Sequence, residues 1–388
     1  MNLLQRSGQW LNSRWLRTRL GQWLCGHWLR RFGPRQTAPV HRIGTVTIPV
    51  PTSFPSAVTQ ADALSSAPDL AQRTWYSTPT NRPTSPGRYS GSSQSARNPL
   101  ADLQHQKELK LGLALGRPGG QGEVFPLVEF PEFVYKRYHH PIRGAAESFN
   151  ELILAGEALA PGLERTGVAA VWPILTCGTE DEVDGYVMRR IPDRFSIDMK
   201  TPYGAHIEAA TLDHALPIDP RATFYPIREV STTERLHIAR LVGVFLDTLH
   251  RNDLVYGDLS LKNMQYALDP VELLVMDMDG VHRISTPLVR EKDTVWTPDW
   301  DDPHAPGQVP LGFDLDRYRY ALLVYRLLAA RNVSERLPSD ADSLVVPAVA
   351  GLDEEHRAAV EQLLRRAAVS GVGSRPPVNE WVSALASA

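Results

Sequence analysis

The chain has little cysteine and no long apolar run, and each absence removes a class of protein. Its 388 residues include only two cysteines, Cys25 and Cys177, far apart in the sequence. A disulfide framework or a cysteine metal cluster needs more thiols than this, so we expect a reducing, cytoplasmic compartment. A helix that spans a bilayer needs a run of about 18 apolar residues, which the sequence lacks, so we do not expect an integral membrane protein.

Excess positive charge is lacking as well. The formal net charge is -3, from 41 Lys and Arg against 44 Asp and Glu. A protein that binds nucleic acid through its overall charge is normally basic, so we expect no nucleic-acid partner. The charge is unevenly placed, however, because residues 1–61 contain eight arginines and no Asp, Glu or Lys. An anionic partner would therefore meet the protein at its N-terminal end.

Residues 1–33 form an Arg- and Trp-rich leader with an imperfect 13-residue repeat, GQWLNSRWLRTRL followed by GQWLCGHWLRRF. Indole rings beside arginines are typical of a segment that lies on an anionic membrane surface, here the inner membrane face, or that binds a partner protein. At about 3.6 residues per turn, a 13-residue period turns the two repeats to different sides of a helix, which weakens this interpretation. A disordered leader and a misassigned translation start are the alternatives.

Residues 34–102 are rich in Pro, Ser, Thr, Gly and Gln, as in STPTNRPTSPGRYSGSSQSARNP. Such a segment buries too little apolar area to offset the entropy lost on ordering, so we predict a disordered linker. A folded domain is then expected over residues 103–388.

Glycines cluster near the start of this domain. The segment LKLGLALGRPGGQGEVFPLVEF predicts two strands joined by a turn with four glycines: Gly116, Gly119, Gly120 and Gly122. Glycine lets backbone N–H groups approach a phosphate closely because no side chain intervenes, although an ordinary hairpin turn uses the same residues. The next strand-like run, PEFVYKRYHH, carries Lys136.

A helix is predicted to follow this strand, over IRGAAESFNELILAGEALAPG, and to stop at Pro161 and Gly162. It offers three carboxylates that could pair with Lys136, and each could equally face solvent. They are Glu147, Glu151 and Glu157, of which we favour Glu151.

Two strand-like runs, AVWPILTCG and DGYVMRRIP, come next, and the Pro-rich residues 192–230 predict an irregular covering loop. The segment STTERLHIARLVGVFLDTLHRND predicts a long amphipathic helix with a Ser/Thr cap and Glu234 close behind it. Its His250 is expected to be a helix-end residue rather than a base, since cations suit helix C-termini. Further helices are predicted from about Asp316 to Ala330 and in the last 40 or so residues, the final one started by Pro376 and Pro377.

The stretch that follows the long helix, residues 252–280, carries the groups best suited to phosphate chemistry. Asp258 comes after an apolar turn, Asn263 follows five residues later, and a β-like run delivers Asp277 and Asp279. One carboxylate can take the proton of an attacking hydroxyl, while an amide and a second carboxylate hold Mg²⁺ against phosphates. This arrangement predicts a site for ATP and Mg²⁺.

The order of these elements over residues 105–388 resembles the eukaryotic-like protein kinase family, and its detail is most similar to a divergent bacterial branch with GDLS-x-x-N, Asp-x-Asp-Gly and TPDWDDP. The resemblance implies an α+β, two-lobed kinase-like fold, with a β-rich N-lobe at residues 103–190 and a mainly helical C-lobe at 191–388. It also implies a serine/threonine-protein kinase that takes part in signalling.

The resemblance also implies roles for individual residues. Lys136 would contact the α- and β-phosphates with Glu151 bracing it, Asp258 would be the catalytic base, and Asn263 and Asp277 would bind Mg²⁺. The glycines would cover the phosphates, and a hinge would line the adenine pocket with the backbone of four residues: Met188, Arg189, Arg190 and Ile191.

The C-terminal part of the resemblance concerns structural groups. Thr297 to Trp300 would form the peptide-docking end of the activation segment, which favours a protein substrate. Asp316 would brace the catalytic loop, and Arg375 resembles the late kinase arginine.

Four positions depart from the family pattern. Tyr256-Gly257 replaces His-Arg, which makes switching by loop phosphorylation doubtful, and Ser260 replaces a lysine, although Lys262 could reach the transferring phosphate. Asp279 is an extra carboxylate that could bind a second metal or face solvent. His304 stands where the family has a glutamate, which leaves Arg375 to find Asp301, Asp302 or no partner. A nucleotide-binding pseudokinase and a small-molecule kinase are the alternative functions.

Overall fold

The computed structural model describes residues 45–47, 100, 103, 108–116, 119–201, 204–217, 228–285, 299–303, 312–329, 334–338 and 352–386. All of them belong to one unit, Gly44–Ala388, and they combine helices with β-sheets as the predicted α+β class requires. The leader and nearly all of the predicted linker lie outside the described residues. The predictions of membrane binding and disorder for these segments therefore stay predictions.

The strands occur in chain order before, between and after the first two helices. They are β1 (Thr45–Thr47), β2 (Glu108–Lys110), β3 (Gly122–Pro126), β4 (Phe133–Arg143), β5 (Val168–Ala170), β6 (Pro173–Gly178), β7 (Glu182–Arg189), β8 (Ser196–Thr201), β9 (Gly204–Ala209), β10 (Leu254–Val255), β11 (Met264–Ala267), β12 (Glu272–Val275) and β13 (His282–Arg283). The helices are α1 (Ala146–Arg165), α2 (Thr232–Arg251), α3 (Phe313–Leu328), α4 (Glu354–Val369) and α5 (Val378–Ala384).

The largest sheet among the described residues is antiparallel, in the order β3-β4-β7-β6. Its register places Lys136 of β4 between Val124 of β3 and Tyr186 of β7, so the lysine stands on an inner strand. Because successive side chains of a strand point to opposite faces, Tyr138 lies on the same face as Lys136. Both side chains are buried.

Helix α1 follows β4 and packs on this sheet through Phe149, which shares a core with Tyr138 and Tyr186. The predicted stop at Pro161 is wrong, because the helix continues through Pro161 to Arg165. Leu163 in the last turn is buried in the main core, and this packing outweighs the hydrogen bond that a proline removes.

The main core surrounds α2, which packs against α3 and α5 and contacts the small sheet β11-β12-β5. Strand β12 runs parallel to β5 and antiparallel to β11, and it ends at Val275, two residues before Asp277. The core thus fixes the end of the strand that carries the predicted metal-binding carboxylate.

The structure differs from the predictions in two further elements. The segment predicted as an irregular loop over 192–230 contains a β-hairpin, β8-β9, whose strands pair from Ser196 with Ala209 to Thr201 with Gly204. Helix α3 begins at Phe313, before the predicted start at Asp316. Pro377 is the N-cap of α5, as the sequence predicted. No helix within the described ranges has both the length and the apolar character needed to cross a membrane.

Candidate functional site

A buried lysine faces two carboxylates from the end of β12. Lys136 Nζ lies 3.1 Å from Asp277 Oδ1 and 3.2 Å from each carboxylate oxygen of Asp279. The lysine side chain is only 8% exposed, so its charge is neutralised by protein groups and not by solvent. The structure therefore brings together three predicted site residues from parts of the chain about 140 residues apart.

Asp279 is the buried member of this group, with a side chain only 3% exposed. Besides the lysine, it accepts a hydrogen bond from Tyr138 Oη at 2.5 Å and one from Tyr186 Oη at 3.3 Å. A buried carboxylate is tolerated when its lone pairs are satisfied in this way. Of the two environments expected for Asp279, solvent is not the one that the structure shows, since the side chain is enclosed by Lys136, Tyr138 and Tyr186. Binding of a second metal by Asp279 stays a prediction.

The pKa shifts at the site follow from this packing. Burial alone lowers the pKa of Lys136, but the charges of Asp279 and Asp277 and their hydrogen bonds offset it and leave the pKa above its usual 10.5. Burial, followed by the charge of Asp279, raises the pKa of Tyr186 well above 10.0. Lys136 is therefore an ammonium and Tyr186 a neutral hydrogen-bond donor at neutral pH.

Asp277 differs from Asp279 in exposure and in backbone. Its side chain is 45% exposed, and its backbone is left-handed, with φ of 51° and ψ of 46°. Non-glycine residues rarely adopt this conformation, and such residues concentrate at functional sites. The unusual backbone at Asp277 turns the chain after β12, so two carboxylates only two residues apart both reach Lys136.

The predicted catalytic loop folds as a 3-10 turn, Leu261–Asn263. Asn263 Nδ2 donates to both the backbone oxygen and Oδ2 of Asp258, each at 2.9 Å. Since its nitrogen is the donor, the amide oxygen of Asn263 remains available to a cation. Met276 N donates to Asn263 O at 2.8 Å, which ties this loop to the end of β12 beside Asp277. Lys262 is exposed on the same turn.

A buried carboxylate on α3 holds the start of this loop. Asp316, which is fully buried, accepts from the backbone N–H of Tyr256 at 2.8 Å and of Gly257 at 2.9 Å. His250 Nε2 lies 3.1 Å from the same carboxylate. Arg319, one turn further along α3, donates to Gly257 O at 2.5 Å. The predicted bracing role of Asp316 is confirmed, and His250 at the end of α2 contributes to it.

Tyr256, which stands where the family has histidine, is completely buried against Phe245. Its hydroxyl donates to Met276 O at 2.8 Å, so it joins the predicted catalytic loop to the segment that precedes Asp277. Burial, followed by the charges of Asp258 and Asp277, raises its pKa well above 10.0. Both carboxylates therefore lie near this one ring.

The expected ion pair between Lys136 and Glu151 is not the one that the structure shows. Glu151 lies 3.6 Å from Arg283 of β13, and both side chains are nearly half exposed. Glu147 and Glu157 are exposed on the same helix. Asp279 takes the position beside the lysine because Tyr138 and Tyr186 close the space around it, whereas α1 presents Phe149 to this cluster.

The four glycines of the predicted phosphate-covering turn have different environments. Gly122 is needed for strand pairing, since a Cβ there would lie 2.1 Å from Arg137 O. Gly116 has a φ of 72° and open space around it, and Gly119 and Gly120 are exposed, but the N–H of Gly119 already donates to Gly122 O at 2.9 Å.

In the predicted hinge, Arg190 N donates to Glu132 O at 2.9 Å, which occupies one of the backbone groups expected to line an adenine pocket. Met188 and Ile191 are partly buried and pack on the core that contains Phe195.

Arg375 finds partners in the structure. It donates to Asp302 Oδ2 at 2.6 Å and also to Asp314, with its guanidinium 5.0 Å from the centre of the Tyr318 ring. Of the open alternatives, Asp302 is thus the partner. Thr297, Pro298 and His304 lie outside the described residues, so the peptide-docking prediction stays a prediction.

Sequence reasoning missed several residues of the site: Tyr138, Tyr186, Arg319 and the role of Tyr256. Tyr138 could have been found, because a residue two positions from Lys136 in a strand shares its face. Tyr186 comes from a neighbouring strand, and its place depends on sheet register, which the local sequence does not encode.

No protein-family model matches the chain, and comparison with curated proteins also finds no match. Within the described ranges, no group of three or more His, Cys, Asp or Glu side chains is arranged to hold a metal ion. The function must therefore be argued from the site itself.

Proposed function

We propose that the protein is an ATP- and Mg²⁺-dependent phosphotransferase with a two-lobed, protein kinase-like fold, and that it phosphorylates Ser or Thr of a protein. The observation that supports this most is the contact of Lys136 with Asp277, together with the hydrogen bond that ties Met276, the residue before Asp277, to Asn263, which in turn holds Asp258. Phosphoryl transfer requires mainly positioning and charge stabilisation, and this set supplies a cation, metal ligands and a base.

The residues present fit Mg²⁺. This ion keeps several waters and is usually bound by one or two protein carboxylates together with substrate phosphates, so a cluster of three acidic ligands is not required. Asp277 is 45% exposed, and Asn263 has its amide oxygen available. The backbone of Asn263 is hydrogen-bonded to Met276, the residue directly before Asp277. When bound, the ion would neutralise charge on the phosphates.

Each protein group then has a defined task. Lys136 offers its ammonium to the phosphates, and its pKa above 10.5 keeps it charged at neutral pH. Asp258, oriented by Asn263 Nδ2 at 2.9 Å, accepts the proton of the attacking hydroxyl. Asp316 keeps the backbone before Asp258 in place through two N–H groups.

One observation favours the alternative of a pseudokinase. The ammonium of Lys136 is already shared among three carboxylate oxygens, so a phosphate would have to compete with both aspartates for it. A protein that only binds nucleotide, or only signals by conformation, would tolerate this arrangement. Transfer and binding must therefore be measured separately.

The decisive experiment is incubation of the purified full chain with γ-labelled ATP and Mg²⁺. Asp258→Asn should lower transfer by a factor on the order of 10²–10⁴ and leave nucleotide binding intact, since a general base acts only in the chemical step. Asp277→Asn should abolish the Mg²⁺ dependence of binding or the transfer itself.

Asp269→Asn is the matched control, because Asp269 is 83% exposed on a turn, and it should behave as wild type. Nucleotide binding without transfer in the wild type would favour the pseudokinase. Transfer at an unchanged rate in Asp277→Asn would refute the metal assignment.

A further inference from the structure

The environment of Lys136 points to a residue that places the lysine, and this residue is not on α1. A lysine that contacts phosphates needs a carboxylate to hold its flexible side chain in one position, since the four-carbon stem otherwise samples many rotamers. The resemblance assigns that task to a glutamate of α1. The structure instead places Glu151 beside Arg283 and Asp279 beside Lys136.

We propose that Asp279 is the positioning residue for Lys136, with Tyr138 and Tyr186 orienting its carboxylate, and that α1 takes no part through an ion pair. This inference rests on the proposed function for its catalytic consequence, but the contact itself does not. Three donors reach Asp279: Lys136 touches both oxygens at 3.2 Å, Tyr138 touches Oδ2 and Tyr186 touches Oδ1.

The different exposure of the two aspartates supports this assignment. Asp279 is 3% exposed and held from three directions, whereas Asp277 is 45% exposed and contacts the lysine with one oxygen. A buried, oriented carboxylate suits the placing of a side chain, and an exposed one suits a metal ion that arrives with the nucleotide. The lysine can therefore leave Asp277 when ligand binds and still be held by Asp279.

Helix α1 is attached to the site by aromatic packing. The Phe149 ring lies 6.3 Å from that of Tyr138 and 5.6 Å from that of Tyr186, centre to centre, and all three side chains are buried. The same tyrosines that hold Asp279 thus pack on the helix through their rings. If a glutamate of α1 held Lys136, inward movement of the helix could regulate the site by forming that ion pair. Asp279 holds the lysine instead, and α1 contacts the same tyrosines through Phe149. We infer that the lysine is in place without movement of α1.

The test compares Asp279→Asn with Glu151→Gln in the full chain. The first readout is chemical labelling of Lys136 by an amine-reactive reagent at one neutral pH, located by mass spectrometry, which does not depend on activity. Asp279→Asn should raise the labelling rate about tenfold, the factor that corresponds to about 1.4 kcal/mol. Glu151→Gln should label like wild type. Tyr186→Phe, which keeps the charge of Asp279 but removes one donor, should fall between them and also serves if Asp279→Asn does not fold.

The second readout is steady-state transfer. Asp279→Asn should raise KM for ATP about tenfold or lower kcat by a similar factor, and Asp279→Glu should recover part of the loss, which a merely structural role would not do. Increased labelling or a higher KM in Glu151→Gln would overturn the inference in favour of the helix glutamate, as would unchanged labelling in both Asp279→Asn and Tyr186→Phe. If the wild type transfers no phosphate while Asp279→Asn still exposes Lys136, the positioning role holds and the proposed function fails.

Discussion

Asp316 shows, at the scale of a single residue, how one buried charge organises a loop. One oxygen accepts from the backbone N–H of Tyr256 and lies beside His250, and the other accepts from the N–H of Gly257. Both oxygens of the carboxylate therefore have partners. Hydrogen bonds to charged groups contribute more than neutral ones, and a buried N–H left unpaired costs free energy. The conformation before Asp258 therefore depends on this side chain.

We expect Asp316→Asn to lower the free energy of unfolding by about 3 kcal/mol, because an amide offers only one acceptor oxygen and turns N–H groups toward backbone donors. Urea denaturation followed by circular dichroism measures the change. Asp269→Asn, at an exposed turn, is the control and should shift the free energy by less than about 0.5 kcal/mol. Equal midpoints for the two variants would contradict the bracing role.

Buried tyrosines make the protein sensitive to alkali. Burial first, and then nearby carboxylates, raises the pKa of Tyr186 and of Tyr256 well above 10.0. A phenol whose pKa is higher in the folded state keeps its proton there and loses it in the unfolded chain. Stability therefore falls as the pH rises through the unfolded value near 10.

In a spectroscopic titration of tyrosinate, we expect only part of the 12 tyrosines to ionise while the circular dichroism stays native. The rest should ionise together with unfolding, and Tyr256→Phe should reduce that second group by one. Complete ionisation of all tyrosines in a native spectrum would show that the two phenols are not protected.

Elements with local signals were predictable from the sequence. Helix α2 is the clearest example: its predicted Ser/Thr cap is Ser231, whose side chain accepts from Glu234 N while Glu234 accepts from Ser231 N. The β8-β9 hairpin was not predicted, because its strands lie in a Pro-rich segment. The two strands pair with each other, and neither was recognised from a hydrophobic pattern in the sequence. Neither was the last turn of α1 beyond Pro161, which depends on burial of Leu163.

The cap of α2 gives a prediction at the scale of this element. Ser231→Ala should lower the free energy of unfolding by about 1 kcal/mol, the usual value for loss of an N-cap side chain. The pKa of Glu234 is lowered as well: burial alone would raise it, but the hydrogen bonds with Ser231 and the charge of Arg228 outweigh burial. The contribution of Glu234 is thus present above its unfolded pKa and is lost as the pH falls through the lowered, folded value.

Thermal melts of wild type, Ser231→Ala and Glu234→Gln at neutral and at acidic pH measure both effects. The deficit of Glu234→Gln should shrink in acid, whereas Ser370→Ala, at the C-terminal end of α4, should change little at either pH. A deficit of Glu234→Gln that does not depend on pH would exclude the carboxylate from the cap.

For the whole molecule, the order of site elements could be predicted but their pairing could not. Sequence spacing placed Asp258, Asn263 and Asp277 in one loop and strand, and the structure ties them together. The partner of Lys136 was assigned to a nearby helix, yet the buried contact comes from Asp279, 143 residues away. Such a contact depends on which tyrosines the sheet register brings to the same place, and no local pattern encodes this.

A second long-range contact joins the C-terminal region to the segment that precedes α3. Arg375 and Asp302, 2.6 Å apart, have side chains only 1% and 3% exposed, and Arg375 also reaches Asp314. Loss of the guanidinium would leave Asp302 buried with one charged partner fewer, so Arg375→Met should cost about 3–5 kcal/mol. Combining it with Asp302→Asn removes the stranded charge.

A double-mutant cycle in urea should therefore show the double variant to be more stable than the sum of the single losses predicts, with a coupling of about 1–3 kcal/mol. The pair Arg194 and Glu272 is the matched control: it is 2.6 Å apart but more exposed, at 35% and 21%, and its coupling should stay within about 0.2–1 kcal/mol. A coupling for Arg375 and Asp302 no larger than that of the control would mean that the C-terminal region is held by apolar packing, through Trp381 and its neighbours in the main core, and not by this ion pair.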